Sequence, residues 1–542
     1  MVGSNINTLL RQYVATVHSI MAALSMVFAA LILVITLLYF LHKSRYSYWK
    51  KRNVPYLEPT PLLGNYGPYI LLRETVGEVV SKILQQFPDE PVVGAFYGTE
   101  PALLVQDLQL LKLITTKDYY YFSSREISNH THKEVMTQSL FFTYGDNWRV
   151  LRQNLTPMFS SAKMKNMFYL IVNCSKEFEK VLDKEIEVND VIDARDMLAR
   201  FTMDCIGTCV FGIETRAMEN EKGNPFWDVG ASIFGNTYSR SIRWITRAIW
   251  PAIFYGLGFK TFPGEASNFF GKFVGEVFKE RMKTDAKRQD FIDLLSEFKR
   301  NSTIVGDKMS NMKTSSSEKV SIEVTDEILI SQCMAFFAAG YETSANTGSL
   351  TLYELAKHPE AQQRVLDEVD RYLRARENKL GYDCLTELPY LEQCISETMR
   401  LYPVLTVLTR ELVDDYSLPG GLRLPRGLRV HIPVLHLQLH PRYFPEPRRF
   451  RPERFSPEER HNLLPYTYMP FGEGPRICIG MRFARMQMMA GIITILKKYR
   501  VELAAGMSSS LTLDPRAIVT MPRERLRLRL VPRAGWDTRL YQ

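Results

Sequence analysis

Ten residues near the C-terminus, Phe471-Gly472-Glu473-Gly474-Pro475-Arg476-Ile477-Cys478-Ile479-Gly480, put one thiol into a loop of three glycines and a proline. Such a backbone is thin and bent, which suits a flat ligand lying directly against the main chain. Cys478 would stand at the start of an apolar helix running from about Met481 to Ile493. Unpaired amides and the positive end of the helix dipole favour thiolate over thiol there. A thiolate so placed is a good axial ligand for haem iron, and Arg476 can pair with a haem propionate. A lone cysteine is more often an ordinary buried thiol. The spacing around it, rather than the cysteine, carries the reading.

A second constellation is Met334-Ala335-Phe336-Phe337-Ala338-Ala339-Gly340-Tyr341-Glu342-Thr343-Ser344, within a stretch that Thr325 can cap and that Asp326 and Glu327 suit as a first turn. A mid-helix glycine costs about 1 kcal/mol relative to alanine. At Ala339 and Gly340 it leaves room for a flat cofactor and a diatomic gas, and Glu342 and Thr343 supply an acid and an alcohol able to deliver protons. Close helix packing with Glu342 in a salt bridge explains the same residues if they stand alone. Glu397 and Arg400 share a helix face that Pro403 ends, and Pro452-Glu453-Arg454-Phe455 follows downstream. Trp148 and Arg152, four apart, place an indole N–H and a guanidinium on one face, though packing and solvation also account for them.

The elements that must hold these groups are mostly helical. Stretches of 3.6-residue period cover about Asn147–Phe178, Ile192–Phe211, Pro225–Ile249, Asn268–Phe298, Thr325–Leu355 and Pro359–Arg374, while strand-like runs are short. No internal repeat is visible, and the Ser-, Thr- and Lys-rich Asn301–Lys319 reads as a mobile surface connection. With 542 residues, 46% of them hydrophobic, the chain can bury a large core. A net charge of +9 fits a membrane surface or an acidic partner, and nothing resembles a nucleic-acid module. Cys174, Cys205, Cys209, Cys333, Cys384, Cys394 and Cys478 follow no disulfide or zinc pattern, which indicates a reducing compartment.

Met21–Leu41 is uncharged and strongly apolar, and about 21 residues at roughly 1.5 Å rise cross about 30 Å of hydrocarbon. A cleaved signal peptide would have a shorter apolar core ending in small residues. Lys43, Arg45, Lys50, Lys51 and Arg52 follow the run, against Arg11 alone before it, so everything after it is expected in the cytosol. The expected organisation is a lumenal terminus at 1–20, a transmembrane anchor at 21–41, a basic and proline-rich hinge at 42–65, and a catalytic domain at 66–542. The aromatic and arginine-rich Phe226–Phe259 suits either a surface dipping into lipid or ordinary core helices.

The pattern F-x-x-G-x-R-x-C-x-G matches at every position the haem-ligand loop of the cytochrome P-450 superfamily, and the chain resembles that superfamily, with motifs in order, from Met21 to the end. The wording around the motifs (Gly145-Asp146-Asn147-Trp148, Leu352-Tyr353-Glu354-Leu355-Ala356, Tyr466–Gly474) looks most like arthropod microsomal, xenobiotic-metabolising members. The resemblance implies a mainly α, prism-shaped body with small β-sheets behind a single N-terminal transmembrane helix in the endoplasmic reticulum membrane. It implies haem b (iron protoporphyrin IX) held by Cys478 as metal ligand, with Arg476, Trp148, Arg152, Arg410 and Arg125 toward the propionates and Gly340 and Phe471 in the cofactor-binding set. Related chains read Asp-Arg-Gly around Arg125, and Ser124 and Glu126 depart from that, which leaves the local loop shape open. Thr343 and Glu342 become the catalytic alcohol and acid of a proton relay, and Glu397, Arg400 and Arg454 a folding network. The implied activity is insertion of one atom of O2 into a lipophilic small molecule, xenobiotic or endogenous. Electrons come from NADPH through NADPH–cytochrome P-450 reductase, with cytochrome b5 as a second donor. Substrate walls come from Arg125–Thr131, Phe226–Phe259, Phe336–Thr343, Leu405–Leu408 and Ala517–Thr520. Two other classes remain: thiolate-haem isomerases of peroxides, against which the acid–alcohol pair argues, and a non-catalytic haem sensor.

Overall fold

The computed structural model describes residues 2–219, 223–283, 290–314 and 316–536, and it is mainly helical. Helix α1 (Val2–Tyr46) precedes a body whose longer helices are, in chain order, α2 (Gly145–Leu155), α3 (Ser161–Val188), α4 (Ala194–Ile206), α5 (Pro225–Phe234), α6 (Tyr238–Ile249), α7 (Pro251–Gly256), α8 (Gly264–Lys283), α9 (Phe291–Asn301), α10 (Asp326–Lys357), α11 (Pro359–Arg374), α12 (Pro389–Leu401) and α13 (Met481–Lys498). Helix α10 runs through the middle and is capped as its sequence suggests, with Thr325 Oγ1 accepting from the Ile328 amide at 3.3 Å. It packs most extensively on α4 and also on α8, α12 and α13.

Some stretches of continuous period divide where local chemistry requires it. Asn147–Phe178 breaks at Thr156–Phe159, a tight turn around Pro157, and restarts at Ser160, whose Oγ accepts from the Lys163 amide. Pro225–Ile249 breaks after Gly235 and restarts at the Thr237 cap. The apolar period spans such a break because both halves face one core; the cap and the proline, not the period, set the ends.

Strands β1 (Val92–Tyr97) and β2 (Glu100–Val105) pair antiparallel, Val93 opposite Leu104. Strands β3 (Thr303–Asp307) and β4 (Lys319–Glu323) form a second antiparallel pair, Val305 opposite Ser321. This corrects the expectation of a mobile connection at Asn301–Lys319. Gly306 sits where a Cβ would lie 3.0 Å from the Val150 backbone, Gln153 bonds Asp307, and the hairpin is held against α2. Strands β5 (Leu408–Glu411) and β6 (Arg429–Ile432) complete the first sheet in the order β1-β2-β6-β5, with Leu104 beside His431 and Arg410 opposite Val430. Val191–Asp193, Tyr499–Leu503 and Arg527–Pro532 make a three-stranded sheet, and Tyr416–Ser417 with Arg423–Leu424 a small pair.

The segment after α1 is seated on the first sheet. Trp49 Nε1 donates to the Ala95 carbonyl at 2.9 Å, Tyr46 OH to the Gly98 carbonyl at 3.0 Å, and the Gly94 amide to Pro55 O at 2.7 Å. Arg45 reaches Thr99 Oγ1 and Glu100, and Trp250 Nε1 donates to the same Thr99 hydroxyl at 2.9 Å. Among the described residues no helix is long and apolar enough to cross a membrane. The side chains of residues 31, 34, 35 and 37–42 lie outside the described set, so the anchor expected over Met21–Leu41 falls partly outside it. In the Phe226–Phe259 region the aromatic stripe faces inward, with Phe226, Trp227, Phe234 and Trp244 packed on the core, while Tyr238, Ile242, Ile253, Leu257 and Phe259 are exposed.

Candidate functional site

The loop before α13 folds as its glycines dictate. Gly472 and Gly474 both have positive φ, and a Cβ on Gly474 would lie 1.8 Å from the Thr115 carbonyl oxygen, so no other residue fits that crossing. The Cys478 amide donates to Phe471 O at 2.9 Å, and the Gly480 amide donates to the Cys478 sulfur, closing the loop around the thiol. Cys478 is the one exposed cysteine; the other six are buried and free, Cys205 and Cys209 among them as core residues. Burial of its surroundings pushes its thiol above the ordinary value, against the lowering effect of the Gly480 amide, Arg152 and Arg125. A side chain that is both open and surrounded by protein faces an interior chamber, not the outer surface.

Helix α10 has an opening of the same kind. From Leu329 to Leu355 its residues are buried or half-buried with a single exposed exception, Ala339, and half-buried Gly340 and Thr343 lie beside it. At Gly340 the structure follows the close-packing reading, with Glu342 in an ion pair to Arg195. A Cβ there would meet Ile206 Cδ1 of α4 at 2.3 Å, so the glycine serves helix packing, and Ala339 presents the flat opening. Five consecutive carbonyls accept from side chains: Ala339 O from Thr343 Oγ1 at 2.7 Å, Gly340 O from Gln487 Nε2 at 2.6 Å, Tyr341 O from Thr202 Oγ1 at 2.9 Å, Glu342 O from Asn346 Nδ2 at 3.0 Å and Thr343 O from Thr347 Oγ1 at 3.0 Å. Competing donors of this kind loosen a helical ladder locally. Gln487 also reaches Ser344 Oγ at 2.7 Å, which ties the helix that Cys478 begins to the middle of α10. Because the Thr343 proton is committed to Ala339 O, its oxygen lone pairs are free to accept. Glu342 is 1% exposed and paired with Arg195 of α4, with Asn346 Nδ2 at 3.0 Å from its carboxylate.

Basic groups gather around Cys478. Arg476 is buried, lies 4.6 Å over the Trp148 ring, and donates to the carbonyls of Ser123 at 2.8 Å and Thr143 at 2.6 Å. Arg125 stacks over Phe141 at 3.7 Å and bonds its carbonyl, so the loop in which Ser124 and Glu126 depart from the related pattern still turns Arg125 toward Arg476 and Arg410. Arg410 donates to Thr409 O, and its buried Nε has no partner. Burial lowers the pKa of Arg125, Arg152 and Arg476 and brings Arg410 down to about 10; Arg125 is lowered further by the Arg476 and Arg410 charges. None of the four forms an ion pair with a carboxylate among the described residues, an arrangement that favours an anionic ligand able to meet several guanidiniums. A flat macrocycle carrying two propionates and taking a thiolate ligand would fit this donor set. Phe471 lies beside Arg485, whose guanidinium is 5.9 Å from its ring.

Beneath the loop, Glu397 and Arg400 pair through Nε at 2.7 Å and Nη2 at 2.8 Å, and Arg454 Nε approaches Glu397 Oε1 at 3.3 Å, as the spacing implies. Sequence reasoning missed Arg195, Thr202 and Gln487, which reach α10 from other helices with no local signal, and Asn346, one turn after Glu342 on α10 itself. It also missed the buried chain Tyr66–His431–Glu126, with Tyr66 OH 2.6 Å from Nδ1 and Glu126 Oε1 2.5 Å from Nε2. Glu126, out of pattern in its own motif, was the one visible clue.

The family described as Cytochrome P-450 matches residues 54–529 of this chain. Similar proteins include cytochrome P-450 6B6 of Helicoverpa armigera, 35% identical over 93% of this chain and 98% of that protein. Cytochrome P-450 6B1 of Papilio polyxenes is 33% identical over 92% and 97%, and cytochrome P-450 6k1 of Blattella germanica 33% identical over 90% and 94%. These are arthropod proteins, in keeping with the branch indicated by the wording around the motifs. With a loop that holds one open thiol, basic groups suited to propionates, and a match along nearly the whole chain, the protein belongs to the cytochrome P-450 family and is a monooxygenase of that family.

Proposed function

We propose that this chain inserts one atom of O2 into lipophilic small molecules, with Cys478 as the ligand of haem b iron and electrons reaching the haem from NADPH through NADPH–cytochrome P-450 reductase, cytochrome b5 serving as a second donor. The observation that carries the reading is the open Cys478 sulfur, with Arg125 and Arg152 within electrostatic reach of it and Arg410 and Arg476 beside Arg125. Bound haem supplies the iron centre at which O2 is reduced and cleaved, and an axial thiolate favours that cleavage. The Gly480 amide holds the sulfur's negative charge, and the arginines with Trp148 orient the propionate edge. Exposed Ala339 would leave room on α10 for a flat group and its ligand. Thr343, whose proton is committed to Ala339 O, accepts a hydrogen bond from the reacting group and fixes where protons arrive. Glu342, oriented by Arg195 of α4 and Asn346 of α10, is the acid of that relay.

The N-terminus is proposed as a single-pass anchor in the endoplasmic reticulum membrane with the body facing the cytosol. Its support is the uncharged run Met21–Leu41, the exposed Leu24, Val27, Phe28 and Leu33 on α1, and the basic residues that follow. The test of the whole reading is the spectrum of the reduced, carbon-monoxide-bound protein. Wild type should show the red-shifted band of thiolate ligation and Cys478→Ser should lose it. An unchanged band in the variant would show that another residue holds the iron.

A further inference from the structure

The segment Ser123–Glu126 runs beside the basic cluster, and each of its residues is tied to a different part of the body. Ser123 O accepts from Arg476 Nη2 at 2.8 Å, and Ser124 O from the Glu411 amide of β5 at 3.0 Å. Arg125 stacks 3.7 Å over the Phe141 ring and donates to the Phe141 carbonyl. Glu126 turns to the first sheet instead, where His431 Nε2 of β6 meets its Oε1 at 2.5 Å. A ring nitrogen facing a carboxylate at that distance carries the proton. On the other side of the ring Nδ1 pairs with Tyr66 OH at 2.6 Å, and the Tyr66 and Tyr97 rings stand edge-on to the imidazole at 5.6 and 5.8 Å. An imidazole held at both nitrogens and between two rings cannot change rotamer without breaking one of these contacts, so Tyr66, His431 and Glu126 act as a rigid strut.

Arg125 needs such a restraint. It stands near two like charges, Arg476 and Arg410, which oppose its own charge on top of burial. Until an anion arrives, this repulsion favours any loop movement that carries the Arg125 guanidinium away. Its hold on the main chain is shared, because Phe141 O also accepts from Arg476 Nη1 at 3.3 Å. The Glu126 carboxylate does not neutralise Arg125. Its side chain is 11% exposed and faces His431, Arg429 of β6 and Arg247 of α6. What Glu126 fixes is therefore the backbone next to Arg125. The residue that departs from the related pattern in this motif is the one that supplies the tie.

We propose that His431 is a positioning residue for Arg125: braced by Tyr66 and acting through Glu126, it fixes the loop that aims the Arg125 guanidinium at the propionate edge of the cofactor. The inference rests on the haem reading above and deepens it. The strut orders the loop before the anion binds, so the ion pair formed by Arg125 does not have to offset the cost of ordering that loop. Its loss should appear as faster departure of the cofactor and as a looser loop.

The test measures both. Full-length, haem-loaded protein in detergent is mixed with excess apomyoglobin, and haem transfer is followed in the Soret band; amide hydrogen exchange is read in parallel on peptides covering residues 121–128. His431→Leu should speed transfer by about tenfold, as expected for loss of a charge-assisted hydrogen bond, and should raise exchange in that segment. His431→Gln, which keeps an N–H donor within reach of Glu126, should stay within about threefold of wild type. Arg125→Gln should also transfer haem about tenfold faster, and adding His431→Leu to it should change the rate by no more than about twofold, because the strut acts through the guanidinium. Rates that multiply in the double variant overturn the proposal and leave His431 a general support of the first sheet. Wild-type transfer in His431→Leu overturns it too. If His431→Leu does not fold, Tyr66→Phe, which keeps the ring and removes the hydroxyl, decides in its place: transfer about threefold faster supports the strut, and an unchanged rate overturns it. Absence of the red-shifted carbon monoxide band in wild type would instead strike the haem-thiolate reading, while exchange over residues 121–128 still reports on the strut.

Discussion

Replacing Glu397 with alanine should destabilise the body far more than loss of any surface ion pair. Glu397 and Arg400 are both fully buried, joined by two bonds of 2.7 and 2.8 Å, and Glu397 Oε1 also accepts from the Arg451 amide at 2.9 Å and faces Arg454 Nε at 3.3 Å. Arg400 Nη1 is held by the carbonyls of Gln438 at 2.8 Å and Pro447 at 2.7 Å, so the guanidinium cannot swing out to water when its partner is lost. Two buried cations would remain without a counter-charge, at a cost of about 3–5 kcal/mol. Over residues 54–529, an unfolding entropy of about 2.1 cal/mol/K per residue sums to about 1 kcal/mol/K, so the midpoint should fall by about 3–5 °C. Circular dichroism melts at one scan rate measure this, with haem content per chain recorded beside them. The double variant Glu397→Ala with Arg400→Met removes both charges and should recover part of the loss, giving a clear coupling energy. A Glu397→Ala protein melting within about 1 °C of wild type with full haem content would refute the argument that this pair is stability held in reserve under the haem loop.

Thr343→Ala should keep its haem but lower the ratio of product formed to NADPH consumed by about tenfold, with hydrogen peroxide rising to match; an unchanged ratio for several substrates would remove Thr343 from the proton path. Gly474→Ala should cost at least about 2 kcal/mol and much of the haem content, because φ is positive and the new Cβ meets the Thr115 carbonyl; normal loading would show that the loop yields. Burial raises the Glu126 pKa, but the His431 hydrogen bond and charge, with Arg429 and Arg247, outweigh it and hold the carboxyl below its usual value. Its contribution is therefore full above the unfolded value of about 4.3 and is lost as pH falls through the lower folded value. Melting curves should show Glu126→Gln less stable than wild type at pH 7 and the gap closing as pH drops below about 4; a gap independent of pH would refute this.

What could be read from the chain was whatever depends on neighbours in sequence. The turn that only glycine can make at Gly474, the Thr325 cap, the start of α11 at Pro359 and the Glu397–Arg400 pair are short-range constraints, and each stands where its residues indicate. The purpose of Gly340 was legible only as one of two readings, because what decides it is the Ile206 side chain, distant in sequence and brought close only by the crossing of α4 and α10. The hairpin at β3 and β4 was hidden by its polar composition. Its stability comes from Gln153 and Val150 of α2, which no local window contains. The Tyr66–His431–Glu126 chain joins three parts of the sequence through the first sheet, and only the odd residue in the Arg125 motif hinted at it.

The hydroxyl of Thr99, in the turn between β1 and β2, receives both Arg45 from the end of α1 and Trp250 from the start of α7. On the proposed anchor, this oxygen joins Glu100, Tyr46 and Trp49 in clamping the end of α1 to the first sheet, so the bearing of the body on the bilayer is set by side chains, not by slack in a tether. One residue inserted between Leu41 and Arg45 would lift the body by only about 1.5 Å but turn Arg45 by about 100° around the helix. Heading, more than height, is then what such an insertion changes, and with it the direction in which the exposed Ile253, Leu257 and Phe259 are aimed.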